Sequence, residues 1–304
     1  MKLFSYCEGE ETNIGIEVDD TLLNLTKALD IYQQTKGIKN TMSFTFLQVF
    51  VELGYCQGEA IRQILNDSWV KAKISELQIP PDISYNIPIS RPSKIIAIGR
   101  NYRAHIKELK HETPDEPIFF CKAPSSLLAH EGQIVIPGWL DGRVDHEAEL
   151  AVVIGKQARN ISAEETAEYI AGYSIVNDVT ARAMQKTDIE SGNPWYRSKS
   201  IDTFCPMGPV LVPADEIKDP HKLQITLKVN NDTRQDASTE SMIFHIPELV
   251  SYISKYMTLE PADVIATGTP SGVSPIKDGD VIEVSISEIG TLRNTVVLDR
   301  NQFK

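Results

Sequence analysis

The sequence predicts a β-rich α+β protein, with a small α/β domain at the N-terminus and a larger, sheet-dominated domain after it. Short apolar or alternating runs bounded by Gly, Pro, Asn and Asp recur after residue 92, and this pattern is typical of strands. Few segments of that region carry helical signals, which argues against a doubly wound sheet. The two parts are separated by a proline-rich stretch, residues 80–92, which can be neither a helix nor a central strand.

The predicted N-terminal domain spans residues 1–88, and the predicted second domain spans residues 89–304. In the first domain, Lys2–Tyr6 and Ile14–Val18 are predicted to form a hairpin. Helical periodicity runs from Phe44 to Leu53 and from Glu59 to Leu65. This domain carries no residue pattern to which we assign chemistry.

The second domain is predicted to contain seven strands and two helices. The strands are Lys94–Ile98, Ile118–Cys121, Leu150–Ile154, Tyr173–Val176, Leu223–Val229, Asp263–Ala266 and Val281–Ile286. Ser162 and Glu165 have the spacing of a capping box, which predicts a helix that ends at Gly172. The second helix is predicted to begin near Ile246 and Pro247, because proline is tolerated in the first turn of a helix.

Composition excludes several classes of protein. The 304 residues carry 30 basic and 42 acidic side chains, and the net charge of −12 makes nucleic acid an improbable partner. No apolar stretch reaches the roughly 18–20 residues that a membrane-spanning helix needs. The N-terminus becomes acidic before any apolar signal region develops, so we expect a cytoplasmic protein whose four cysteines are reduced and buried.

Three carboxylates are candidate ligands of a metal ion. Glu147 and Glu149 are two residues apart at the start of a predicted strand, so both side chains project from the same face. Asp178 follows the next predicted strand. Oxygen ligands of this kind suit Mg²⁺ or Mn²⁺. From the residues alone, the alternatives are a solvated strand edge for the two glutamates and a helix N-cap on residues 180–186 for Asp178.

Other residues could act beside these acids. On a helix, His105 and Glu108 are three residues apart and can meet, which would raise the basicity of the imidazole; the alternative is a surface pair. Lys199 follows two aromatic residues and could hold an enolate or a carboxylate; the alternative is an exposed lysine. The turn at residues 267–273 could bind a carboxylate or could be an ordinary turn.

Five short motifs occur in the same order as in one enzyme family. They are Gly99-Arg100-Asn101-Tyr102, Glu147-x-Glu149-Leu150, Asn177-Asp178-Val179-Thr180-Ala181-Arg182, Lys199-Ser200-x-Asp202 and Thr267-Gly268-Thr269-Pro270. Together they resemble the fumarylacetoacetate hydrolase superfamily. The resemblance implies a mixed β-roll in the second domain, a homodimer, and a Mg²⁺ or Mn²⁺ ion on the three carboxylates Glu147, Glu149 and Asp178.

The resemblance also implies roles for further residues. His105 and Glu108 match the catalytic dyad of the acylpyruvase and fumarylpyruvase branch, on a segment that closes over the site, and Lys199 is a third catalytic residue. The residues implied to bind the substrate, a small 2-oxo acid, are Arg100, Tyr102, Arg182, Gln185 and Thr269. The loop between Gln185 and Trp195 varies in length within the family, so the substrate itself is not implied.

The expected activity is metal-dependent hydrolysis of a C–C bond in a 2,4-dioxo acid of the acylpyruvate or fumarylpyruvate type. Its products would be pyruvate and a carboxylic acid. Decarboxylation of oxaloacetate is an alternative, as is isomerisation or decarboxylation of 2-hydroxyhepta-2,4-diene-1,7-dioate. A remote alternative is a catalytically inactive relative that only binds metal, but the acids, the dyad and Lys199 are all present, which favours an enzyme.

Overall fold

The computed structural model describes residues 1–38, 44–109 and 112–300. Its first part is an antiparallel meander followed by short helices. These elements are β1 (Lys2–Glu8), β2 (Glu11–Val18), β3 (Thr21–Asn24), α1 (Leu25–Thr35), α2 (Leu47–Glu52), α3 (Gly58–Leu65), α4 (Ser68–Ala72) and α5 (Ile74–Leu77). The predicted hairpin is confirmed, as are helices within both periodic segments, whereas α1 was not predicted although Asn24 caps it through the Lys27 N–H.

The rest of the chain is dominated by strands. Its elements are β4 (Ser84–Asn86), β5 (Ile95–Gly99), α6 (Arg103–Leu109), β6 (Ile118–Lys122), β7 (Leu127–Leu128), β8 (Gln133–Pro137), β9 (Val144–Asp145), β10 (Ala148–Ile154), β11 (Ile170–Asn177), β12 (Thr180–Ala181), α7 (Arg182–Glu190), α8 (Tyr196–Lys199), β13 (Cys205–Pro213), β14 (Gln224–Val229), β15 (Asp232–Ser238), α9 (Ile246–Tyr256), β16 (Val264–Ala266), β17 (Val281–Ile286) and β18 (Gly290–Asp299). All seven strands predicted for this region are present. The mixed α+β class, dominated by sheets, is therefore confirmed.

Two large sheets organise the molecule. The main sheet has the strand order β3-β2-β1-β13-β11-β10-β16-β5-β6, with β4 paired to β1 and β7 paired to β13. The second sheet has the order β15-β14-β17-β18-β8, and a small ladder joins β12 to β9. Most pairs are antiparallel, whereas β5 with β16, β8 with β18 and β7 with β13 are parallel, so the architecture is mixed as expected.

The main sheet separates two apolar cores. On β10, Leu150 and Val152 belong to a core shared with Ile225 and Val284 of the second sheet. Alternate residues of β10, such as Ala151, point to a core shared with the helices of the N-terminal part. The strand is buried along its whole length because both of its faces are covered. Glu147 and Glu149 have the same parity as Ala151, so they lie on the face towards the N-terminal helices, at the end of the strand.

One predicted helix is wrong. Glu165 accepts a hydrogen bond from the Ser162 N–H as a capping box requires, but only a short 3₁₀ turn, Thr166–Tyr169, follows. The chain from residue 170 onwards forms β11, and the Tyr169 carbonyl accepts a hydrogen bond from the Gly155 N–H. Pairing with β10 therefore overrides the local helix signal, because it satisfies the same backbone groups and buries an apolar strand.

The proline-rich connector contains no helix, as predicted; it includes the short strand β4, which pairs with β1, and bends on either side of it. Because β1 pairs with β13, the N-terminal strands continue the main sheet, and the domain boundary near residue 88 stays a prediction. The four cysteines are free thiols, but only Cys56 and Cys205 are buried as expected, whereas Cys7 and Cys121 are half-buried. In the described ranges, no helix has the length and apolar character that a membrane crossing needs.

Candidate active site

The three candidate metal ligands meet at the ends of two paired strands. Glu147 immediately precedes β10, Glu149 is its second residue, and Asp178 follows β11. The pairing of Ala148 with Asn177 brings these ends side by side. One carboxylate oxygen from each residue lies within 4.8 Å of the others. The side chains are buried, which excludes the solvated strand edge as the explanation of the two glutamates.

Backbone hydrogen bonds hold these carboxylates in place. The Asn177 side chain accepts from the Glu147 N–H at 2.9 Å, and the Glu147 carbonyl accepts from the Asp178 N–H at 2.8 Å. The Gly268 N–H donates to Oε2 of Glu149 at 2.7 Å. Asp178 does not cap a helix, since α7 begins only at Arg182 after Ala181, so the N-cap interpretation is wrong.

Three cations converge on the carboxylates from different elements. Lys199, in α8, donates to Glu147 at 2.7 Å and to Asp178 at 2.5 Å. Lys122, at the end of β6, lies 2.6 Å from the second oxygen of Asp178. Arg182, the first residue of α7, forms an ion pair with Glu147. Lys199 is 2% exposed, so the interpretation of it as an exposed lysine is wrong.

Arg182 is itself held by a buried carboxylate. Its Nε donates to Asp145 at 2.8 Å, and its NH1 donates to the side chain of Gln185 at 2.7 Å. Arg143 binds the other oxygen of Asp145. Arg182 and Gln185 are predicted to bind the substrate, and both line the cavity between α6 and the carboxylates. That role stays a prediction, because the guanidinium already binds two carboxylates of the protein.

Neighbouring charges drive the pKa values of the two glutamates in opposite directions. Burial raises the pKa of Glu147, but Lys199 and Arg182 outweigh it, so the net pKa lies below the usual value. Burial raises the pKa of Glu149, and Asp178 and Glu147 add to the effect, so its pKa lies well above the usual value. Glu149 thus experiences an excess of negative charge that a divalent cation would relieve. The donor set is three buried carboxylates, which fits a hard divalent ion.

The predicted dyad lies on α6, which covers the site. His105 is 6% exposed, and its Nδ1 lies 3.5 Å from Oε2 of Glu108, close enough for an electrostatic contact. Nδ1 forms no hydrogen bond within the described part of the chain. The same Glu108 oxygen accepts a hydrogen bond from the Gly272 N–H at 3.2 Å. Burial is the largest influence on the pKa of His105 and lowers it, so the imidazole is neutral near pH 7.

A cavity of about 60 Å³ lies between α6 and the carboxylates. It is lined by Ile98, Gly99, Arg100, His105, Phe120, Glu147, Glu149, Asp178, Arg182, Gln185, Ile189, Trp195, Lys199 and Thr269. The guanidinium of Arg100 lies 5.9 Å from the ring centre of Trp195, in cation–π contact. Arg100 has a left-handed φ of 58°, a conformation that favours glycine and recurs at functional sites.

Tyr102 takes a different position from the other predicted substrate ligands. It is buried, does not line this cavity, and its hydroxyl has no hydrogen-bond partner within the described ranges. Burial and the nearby Glu149 raise its pKa. Its assignment to substrate binding stays a prediction.

Several polar residues that were not predicted from the sequence support the site. They are Lys122, Arg143, Asp145 and Gln235. A lysine that ends an apolar strand, as Lys122 does, is a usable signal, because buried lysines almost always have an acidic partner. Asp145 is two residues before Glu147, but the strand is interrupted between β9 and β10, so only the tertiary contact with Arg182 reveals its place.

Comparisons with known proteins agree with this geometry. A family model described as fumarylacetoacetate (FAA) hydrolase C-terminal matches residues 94–297. The oxaloacetate tautomerase YisK of Bacillus subtilis is 43% identical over 225 residues, which cover 71% of this chain and 73% of that protein.

Solved structures extend the similarity to the N-terminal part. A fumarylacetoacetate hydrolase from Exiguobacterium antarcticum has a TM-score of 0.80 and 32% identity, and the match covers 98% of this chain and 99% of the other. The maleylpyruvate hydrolase from Sphingobium sp. SYK-6, in complex with manganese(II) and pyruvate, has a TM-score of 0.77 and 30% identity over 98% of this chain and 99% of the other.

Proposed function

The chain belongs to the fumarylacetoacetate hydrolase family, and from that premise we propose that it is a metal-dependent enzyme that interconverts the enol and keto forms of oxaloacetate or a similar short 2-oxo dicarboxylate. The reaction moves one proton between the enol oxygen and the neighbouring carbon and needs no co-reactant. The similarity to an oxaloacetate tautomerase supports a C4 substrate.

The charge arrangement of the site is the observation that carries this proposal. Four cations contact three of the four carboxylates in the site, on Asp145, Glu147 and Asp178, whereas the fourth, on Glu149, forms no ion pair within the described ranges. These cations are Lys122, Arg143, Arg182 and Lys199. Arg100 also lines the cavity and has no acidic partner within the described ranges. A divalent ion and Arg100 would leave the cavity with an excess of positive charge, which suits a dicarboxylate rather than a neutral ligand.

Glu147, Glu149 and Asp178 are the residues proposed to hold Mg²⁺ or Mn²⁺. When bound, such an ion supplies Lewis-acid stabilisation of the negative charge on an enolate. The protein contributes the electrostatic surroundings. Lys199 brings a second positive charge to two of these carboxylates, and Lys122 holds the outer oxygen of Asp178, so the ligand oxygens are fixed before the substrate arrives.

His105 is the proposed proton carrier. It is neutral near pH 7 because burial lowers its pKa, so it can accept a proton and return it within one turnover. Thr269 and Gln185 line the same cavity and would orient the carboxylate next to the ketone. Arg100, at the Trp195 wall, would bind the distal carboxylate.

Measurement of enol-to-keto relaxation tests the proposal directly. Protein stripped of metal with a chelator and then supplied with Mg²⁺ or Mn²⁺ should accelerate the loss of the enol absorbance of oxaloacetate, and the stripped protein should not. Release of CO₂ is followed in the same samples, because decarboxylation would consume the same substrate. No acceleration by the metal-loaded protein would refute the tautomerase proposal.

Hydrolysis of a C–C bond is the second candidate, and the contact between His105 and Glu108 favours it. An imidazole next to a carboxylate can activate water, and the similarity to a maleylpyruvate hydrolase covers nearly the whole chain. The two candidates are separated by assaying an acylpyruvate and maleylpyruvate beside oxaloacetate. Pyruvate release from the first two without enol-to-keto acceleration on the third would favour hydrolysis. The homodimer implied by the family resemblance also stays a proposal, which sedimentation velocity would test.

A further inference from the structure

Gln235, on β15, connects the second sheet to the candidate active site through four hydrogen bonds. The residue is 1% exposed. Its Oε1 accepts from the Ala148 N–H at 3.0 Å and contacts Nδ1 of His146 at 3.1 Å. Its Nε2 donates to Oγ1 of Thr269 and to the Pro270 carbonyl, both at 2.8 Å. Every hydrogen-bonding position of this amide is therefore used.

The backbone determines which way the amide of Gln235 points. The Ala148 N–H can only donate, so the atom that it contacts must be the side-chain oxygen. The Pro270 carbonyl can only accept, so the atom that it contacts must be the nitrogen. The orientation consequently follows from two groups whose roles are fixed, and the reversed amide would oppose both of them.

The same reasoning assigns the protons of a chain of side chains. Because Oε1 of Gln235 can only accept, Nδ1 of His146 must carry a proton and donate to it. In the neutral ring, Nε2 of His146 then accepts from the hydroxyl of Ser274 at 2.8 Å. The hydrogen bonds run in one direction, from Ser274 through His146 and Gln235 to Thr269.

Thr269 is the last member of this chain and the one that lines the cavity. Its hydroxyl oxygen already accepts a hydrogen bond from Gln235, and within the described ranges no acceptor for the hydrogen bond of its own O–H is found. The geometry points to Gln235 as a positioning residue that holds the Thr269 hydroxyl as a hydrogen-bond donor towards the substrate carboxylate. This inference rests on the proposed function, because that function places a 2-oxo carboxylate in this cavity.

Substitution of Gln235 by Glu keeps the size of the side chain but reverses the hydrogen bond to Thr269 and removes the one to the Pro270 carbonyl. The new carboxylate can still accept from Ala148 and His146, but it cannot donate, so the Thr269 hydroxyl would donate its hydrogen bond to residue 235 instead of to the substrate. We expect Gln235→Glu to weaken binding by about 10–100-fold, the range for one hydrogen bond to a charged group. Thr269→Val should weaken binding equally, and the double variant should be no worse than either single variant.

Binding of oxalate to Mn²⁺-loaded protein, measured by calorimetry, is the readout. Oxalate carries a carboxylate beside a second oxygen-bearing carbon but cannot be turned over, so the result does not depend on which reaction the enzyme catalyses. The control is Gln63→Glu, the same charge change on an exposed residue of α3. Mn²⁺ affinity of each variant is measured in parallel and should stay within about twofold of the wild type, since a tenfold loss would amount to about 1.4 kcal/mol at the ligands themselves.

Several outcomes would overturn the inference. Unchanged oxalate affinity in Gln235→Glu, or losses that add up in the double variant, would show that Gln235 does not act through Thr269. If the glutamate variant does not fold, Gln235→Met removes the donor without adding charge and should still weaken oxalate binding in the wild-type background but not beside Thr269→Val. Absence of oxalate binding to the wild-type protein would contradict both this inference and the proposed function, whereas oxalate binding without oxaloacetate turnover would contradict only the latter.

Discussion

Glu147 and Glu149 form two sides of the carboxylate cluster. Although they are only two residues apart, their pKa values are shifted in opposite directions. On one side, Glu147 binds Lys199 and Arg182, and its pKa lies below the usual value. On the other side, Glu149 accepts the Gly268 N–H and forms no ion pair in the described part of the chain, and its pKa lies well above the usual value. Both residues are buried to a similar degree. The difference therefore comes from where the cations reach, and burial alone does not explain it.

The two glutamates therefore contribute differently to a metal site. The Glu147 side is compensated by the protein itself and is already organised without a metal ion. The protein provides no cation next to Glu149, so a bound metal ion would stabilise the ionised form of this carboxylate more than that of Glu147. In such a site the ligands are held in place before the ion binds, and the ion relieves the electrostatic repulsion among them.

The largest effect is expected at His105, which lies near enough to Glu147 for their charges to influence each other's pKa. His105→Gln should lower kcat by about 10²–10⁴-fold because the proton carrier is lost, while Mn²⁺ affinity stays unchanged. In the wild type, burial lowers the pKa of His105, so activity should persist below pH 6.5 and fall only as the pH drops through that lowered pKa. Steady-state kinetics across pH test both statements, and a variant with wild-type kcat would remove His105 from the mechanism.

The next largest effect is expected on the free energy of unfolding of the metal-free protein, where the two glutamates should differ. Glu147→Gln should lower the free energy of unfolding by about 3 kcal/mol or more, because it breaks buried ion pairs with Lys199 and Arg182. Glu149→Gln should leave that free energy unchanged or raise it, because the neutral amide avoids the cost of a buried ionised carboxylate beside Asp178 and Glu147 and keeps an acceptor for Gly268.

Denaturant unfolding after chelation measures the difference between these two variants. Glu164→Gln, on an exposed residue, serves as the control for the chemical change. Both cluster variants should lose Mn²⁺ affinity in calorimetry. Equal destabilisation by the two substitutions would contradict the division between the two sides.

A smaller effect is expected at Arg100, which adds charge to neither side of the cluster but faces the same cavity. Arg100→Leu should raise KM for oxaloacetate by about 10–100-fold, the loss of one charge-assisted hydrogen bond, with little change in kcat. Arg103→Leu removes a neighbouring exposed arginine of α6 and should change neither constant. Equal losses for oxaloacetate and for pyruvate binding in Arg100→Leu would contradict the assignment of Arg100 to the distal carboxylate.

The smallest effect is expected at Tyr102, on the Glu149 side. Its buried hydroxyl lacks a partner in the described part of the chain, so Tyr102→Phe should leave the free energy of unfolding unchanged or raise it by up to about 1 kcal/mol. The same variant tests the predicted role in substrate binding. A large rise in KM with unchanged stability would support that role, and an unchanged KM would remove it.

Much of the candidate site could be predicted from the sequence. The strands that carry the carboxylates are local apolar runs with turn residues at their ends, and the spacing of Glu147 and Glu149 places both side chains on one face through the two-residue period of a strand. His105 and Glu108 meet because a helix brings residues three apart together. The capping box at Ser162 shows the limit of such signals, since pairing with β10 replaced the helix that it predicts.

By itself, the sequence determined the elements, the face on which the acids lie and the resemblance to a family, because these depend on local periodicity and on short motifs. The tertiary structure alone decided which acid is compensated. Lys122, Arg182 and Lys199 come from β6, α7 and α8, and only the packing of those elements brings their charges within about 3 Å of the carboxylates, where interaction energies are large. It also decided the role of Gln235, which lies 34 residues before Thr269 and reaches it because a second sheet packs beneath the site.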